Sequence, residues 1–137
     1  MKDIMIDLIK SSCKSEDKLT ALKNIYELYD QLQYSEDLTE MAQSIYEWLN
    51  KKLKIKNLNF SLFDMEHNTT TNIFKKGEDF FLDGELSFYF IVNTHTEVNA
   101  ILSFTADTQA HYDIINSRNY CLEAAFFQIS PIIQNGI

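Results

Sequence analysis

Residues 86–105, LSFYFIVNTHTEVNAILSFT, decide the fold. Leu86, Phe88, Phe90 and Val92 alternate with Ser87, Tyr89, Ile91 and Asn93. A period of two puts the two sets on opposite faces of a sheet. Asn93, Thr94, His95, Thr96 and Glu97 then interrupt the apolar run with turn-prone residues. The alternation resumes with Val98, Ala100, Leu102 and Phe104 against Asn99, Ile101, Ser103 and Thr105. The stretch reads as two strands joined by a short polar turn. The first set of each strand is almost purely apolar and predicts a helical layer over that face. The second set is mixed, and a mixed face is either solvated or part of a pocket.

Upstream, helical spacing dominates. Ile4, Met5, Leu8 and Ile9 suggest a short helix or the start of a longer one, and Ser15, Glu16 and Asp17 look like a cap with an acidic first turn. Leu19, Leu22, Ile25, Tyr26, Tyr29 and Leu32 repeat at three and four residues, an amphipathic stripe. Two destinations fit it: the domain's own core, or a second copy of the chain. Asp37 and Glu40 read as a capping box for a helix running to about Leu53, with Leu38, Met41, Ala42, Ile45, Trp48 and Leu49 on one face. Trp48 reads as an anchor in the core or at an interface. Residues 55–63 are the first strand and 70–75 the second, with Lys76-Gly77-Glu78-Asp79 and Asp83-Gly84 as turns.

Downstream, Asp107 and Thr108 offer a helix cap. Ile114, Ile115, Cys121, Leu122, Ala125, Phe126, Ile129, Ile132 and Ile133 form one long stripe, widened by Ala124 and Phe127. Pro131 should kink or weaken its last turns. The order predicts an α+β fold, with an antiparallel sheet and the N- and C-terminal helices packed on one face as a two-layer sandwich. The domain division is a helical segment over 1–36 and an α+β domain over 37–137.

Composition sets the function classes. At 137 residues the chain is long enough for one core, burying roughly two-thirds of its unfolded surface. Three Gly and one Pro argue against a loop-rich chain. A formal net charge of −8 disfavours nucleic acid and anionic membrane surfaces as partners. No run approaches the ~20 apolar residues of a bilayer span, and Ile4–Ile9 is too short and too broken by Asp7 for a signal peptide. These features place the protein in the cytoplasm and predict no membrane insertion.

No catalytic, metal or cofactor site is expected. Cys13 and Cys121 have no metal-type spacing and read as small buried thiols. His67 and His95 fall in turns and His111 near a helix start, with no partner at ligand spacing. Glu78, Asp79, Asp83 and Glu85 make an acidic loop without the calcium-loop pattern. Neither a nucleophile elbow nor a Gly-rich phosphate loop is present. The mixed sheet face, Asn59, Ser61, Phe63, Tyr89, Ile91, Ile101 and Ser103, combines apolar walls with a few polar groups, as small-ligand sites do.

From Asp37 to Gln134 the sequence resembles a GAF domain. The opening helix DLTEMAQSIYEWLNKKL, the strand NLNFSLFD and the end-pattern from Phe88 onward carry the resemblance. In that family a strand, a turn and a strand lead into a capped closing helix, and VNAILSF holds that place here, with Ala100 where Gly is usual. The Asn-Lys-x-Phe-Asp signature of cyclic-nucleotide-binding members and the chromophore contexts of phytochrome-type members are absent. The resemblance implies a non-catalytic regulatory or signalling domain, and two long apolar helical stripes on a small domain suggest that it forms a homodimer and contacts a protein partner. Leu22, Tyr26 and Tyr29 with Ile129 and Ile133 are the expected contact residues. The alternatives are a sensor holding a small ligand on the mixed sheet face, and an enzyme of unrecognised type.

Overall fold

The computed structural model describes residues 15–77 and 86–137. Its elements are α1 (Ser15–Gln33), α2 (Leu38–Leu53), β1 (Leu58–Asp64), β2 (Thr69–Lys76), β3 (Ser87–Val92), β4 (Val98–Thr105), α3 (Gln109–Asn116) and α4 (Asn119–Gly136). The strands form one antiparallel sheet of order β2-β1-β4-β3. The hairpin of residues 86–105 therefore occupies one half of the sheet, with β4 against β1 and β3 at the edge.

The alternation in that hairpin is realised. Phe88, Phe90, Val92, Ala100, Leu102 and Phe104 are buried, while Tyr89 and Ile91 are 61% and 64% exposed. The buried face meets the helical layer: α2 lies over β2, α4 over β3, and α1 packs on α4 and α2. This is the expected α+β arrangement, with the helices on one side of an antiparallel sheet. Aromatic rings join the layers, with Phe90 stacked on Phe104 and edge-on to Phe126 at 5.0 Å. Among the described residues, no helix is long and apolar enough to cross a membrane.

α1, in the N-terminal helical segment, contributes to the same core cluster as the sheet. Its buried seam is Ala21, Ile25, Leu28 and Leu32, rotated slightly from the predicted stripe. Leu28 takes the central place, and Tyr26 and Tyr29 move to the rim, where a ring lies on apolar surface while its hydroxyl reaches water. Trp48 is a core anchor: it is 6% exposed, and its Nε1–H donates to the Asn24 carbonyl at 2.9 Å, tying α2 to α1.

The boundaries follow local chemistry. Asp37 caps α2 by accepting from the Glu40 amide at 2.9 Å, and Glu40 returns a bond to the Glu36 amide at 2.7 Å. The helix ends at Lys54, whose φ of 58° is left-handed, with its amide donating to the Asn50 carbonyl. That reversal delays β1 to Leu58, later than the periodicity suggested. Asn57 fixes the start of the sheet: its Oδ1 accepts from the Thr105 amide at 2.8 Å and its Nδ2 donates to Thr105 Oγ1 at 2.6 Å.

One feature of the closing helix differs from expectation. The single predicted stripe is two helices, because Ser117 ends the first: its Oγ donates back to the Ile114 carbonyl at 2.6 Å, and the Arg118 amide donates to Ile115. Ile115 and Leu122 are both buried, so the stripe continues through a break in direction. Pro131 lies inside α4 without ending it. Proline deprives the carbonyl one turn earlier, that of Phe127, of its partner, and both residues lie on the exposed side of the helix.

Candidate functional site

The strand register gathers all seven residues of the mixed set on one face. Asn59 lies opposite Ser103, which lies opposite Tyr89; Ser61 lies opposite Ile101, which lies opposite Ile91. Phe63 follows two residues along β1. Ser61 and Ser103 are 7% and 8% exposed, Asn59, Phe63 and Ile101 are half-buried, and Tyr89 and Ile91 protrude. Asn72 of β2 joins them: its amide donates to Ser61 Oγ at 3.2 Å and to Asn59 Oδ1. The face thus has a linked polar centre on the β1–β2 side and an apolar margin at β3.

That margin opens into a groove. The Ala106 amide donates to the Leu86 carbonyl at 2.8 Å, so the even-numbered residues of β3 direct their peptide groups to β4. In an antiparallel ladder the odd-numbered ones then point away, and Tyr89 and Ile91 direct N–H and C=O to the free edge. α4 runs alongside. Ser130 Oγ donates to the Asn93 carbonyl at 2.5 Å, and Gln134 Oε1 accepts from the His95 amide at 3.1 Å. Between strand and helix lies a groove of about 1080 Å³, lined by Tyr89, Ile91, Phe126, Phe127 and Pro131 among others. Phe127, expected to widen the buried stripe, is instead 51% exposed on its wall.

The expected contact residues divide. Tyr26 is 40% exposed, and Leu22 and Tyr29 are half-buried beside it on α1. Ile129 and Ile133 are both 0% exposed. They belong to the chain's own core and cannot meet a partner, which corrects the sequence reading. The apolar stripe of the closing helix is wide because it faces both the sheet and α1.

The titratable groups are mostly structural. His111 holds α3 to the end of α2: Nε2–H donates to the Leu53 carbonyl at 2.6 Å and Nδ1 accepts from the Asp107 amide at 3.0 Å. His95 is exposed in the β3–β4 turn. Asp64, Glu66 and His67 gather at the β1–β2 turn with ligand atoms within 4.8 Å of one another, a set with the chemistry to hold a hard cation. His67 Nδ1 pairs with Asp64 Oδ2 at 2.9 Å and holds that carboxyl below its usual range. Glu66, beside Glu97, pushes the Glu97 carboxyl up. Cys121 is half-buried. Cys13 and the acidic residues Glu78, Asp79, Asp83 and Glu85 lie outside the described residues.

No protein-family model, no curated protein and no solved structure matches the chain.

Proposed function

We propose that this chain is a non-catalytic, GAF-like regulatory domain of the cytoplasm that acts by dimerising and by binding a protein partner. The observation that carries the reading is the apolar surface left outside the core along β3, where Tyr89 and Ile91 protrude and Phe127 faces them across a groove. Interface cores are rich in aromatic side chains and poor in charge, and this surface fits that description. Self-association falls to α1, where Leu22, Tyr26 and Tyr29 form a second apolar flank. Sedimentation equilibrium tests this division. The wild type is expected to be a dimer, and Tyr26→Glu/Tyr29→Glu a folded monomer. A monomeric wild type, or a variant that still dimerises, overturns the assignment to α1.

A second reading has its own support. The bonds from Asn72 to Ser61 and Asn59, beside half-buried Phe63 and Ile101, give the outer face polar groups among apolar walls, which suits a small ligand. In that case Ser61→Leu or Tyr89→Ala abolishes binding. Unchanged binding in both variants removes the sensor reading.

A further inference from the structure

We propose that the groove between β3 and α4 binds an extended polypeptide segment as an added strand, and that this segment combines alternating apolar residues with a basic one. The proposal rests on the interaction reading above and specifies its mode. Tyr89 and Ile91 direct two N–H and two C=O groups to the free edge. Among the described residues, no group bonds to them.

The two edges of the sheet differ. β2 carries Lys75 and Lys76 and is polar along most of its length, and lysines on an edge strand discourage pairing. β3, SFYFIV, has no charge and no proline, and its register with β4 is unbroken. It lacks the charge, proline and bulge that keep an edge strand from accepting another. A helix alongside such an edge supports one side of an added strand, the geometry of strand addition. The side chains of that strand alternate. One set falls against Phe126, Phe127 and Pro131, the other beside Tyr89 and Ile91. The bonds from Ser130 to Asn93 and from His95 to Gln134 close the groove at one end and set the length of the pairing.

Charge selects the occupant. Among the described residues, Glu123 is the one carboxylate lining the groove, and no Lys or Arg lines it. The chain as a whole carries −8. A cationic segment is therefore attracted to this site.

The test pans a display library of random peptides on the wild-type chain and, in parallel, on Ile91→Pro. The Ile91 N–H faces outward, so proline there removes an edge donor and leaves the β3–β4 ladder whole. Wild type is expected to enrich alternating apolar peptides with Lys or Arg. Ile91→Pro is expected to bind them roughly two- to tenfold more weakly, the effect of losing one hydrogen bond. A selected peptide added to labelled protein should shift the Tyr89 and Ile91 amide resonances. If Ile91→Pro does not fold, Tyr89→Lys/Ile91→Lys replaces it, with the same expectation. No enrichment, enrichment of acidic or uncharged peptides, equal binding to the edge variant, or shifts confined to other residues overturns the proposal. A chain that dimerises yet selects no strand loses the groove and keeps the interaction reading; a chain that does neither loses both.

Discussion

At the scale of single residues, the chain places a few side chains where the backbone or the solvent resists them. Lys54 ends α2 in the left-handed region with φ 58°, a conformation that costs a non-glycine residue about 1 kcal/mol. Lys54→Gly should stabilise the fold by about 0.5–1 kcal/mol, read as a shift in the denaturant midpoint at constant slope. Gly77 is the opposite case: at φ 94° an added Cβ would lie 2.6 Å from the Lys56 carbonyl oxygen, so alanine there destabilises. Glu27 supplies a pH dependence. Its carboxylate bonds Lys52 at 3.0 Å and Lys51 at 3.3 Å, and these lysines, Lys52 first, hold the carboxyl below its usual range. A lowered folded pKa gives stability that is present above the unfolded value and lost as pH falls through the folded one. Acid titration of unfolding should therefore be shallower below about pH 4.5 in Glu27→Gln; an unchanged profile would mean that solvent screens the pair completely.

At the scale of elements, period and packing decide. The alternation in residues 86–105 was legible because the inward residues Phe88, Phe90, Val92, Ala100, Leu102 and Phe104 are apolar and buried. The cap of α2 was legible because Asp37 and Glu40 are a local motif that needs no tertiary context. The seam of α1 was less so. Leu22, Tyr26 and Tyr29 carry apolar surface and share the helical spacing with Ile25 and Leu32. Only the position of α4 shows that Ala21, Ile25, Leu28 and Leu32 face inward. Leu28→Ala should accordingly cost about 2–5 kcal/mol, the range for a fully buried leucine, whereas a rim change such as Tyr26→Ala costs far less. Equal losses in thermal unfolding would contradict this placement. The break at Ser117 was hidden for a different reason: Ile115 and Leu122 stay in phase across it, so periodicity alone cannot show that the helix stops and restarts.

At the scale of the whole molecule, the layer order determines which surfaces are free. Four helices with buried residues in one core leave the outer face of the sheet and the edge of β3 outside it. The mixed set of seven residues was legible as one face, since strand alternation fixes sides. The groove was not, because it joins β3 to a helix about 30 residues further along the chain, and no local pattern encodes that juxtaposition. The same tertiary fact buries Ile129 and Ile133 in the core and brings Phe127 to the wall of the groove. Native mass spectrometry of the protein as purified tests the central claim most directly. The account predicts a dimer, alone or with bound polypeptide, that carries no small-molecule adduct. A reproducible adduct of small-molecule mass that disappears in Ser61→Leu would contradict it and give the outer face to a ligand, and a bare monomer would contradict self-association outright.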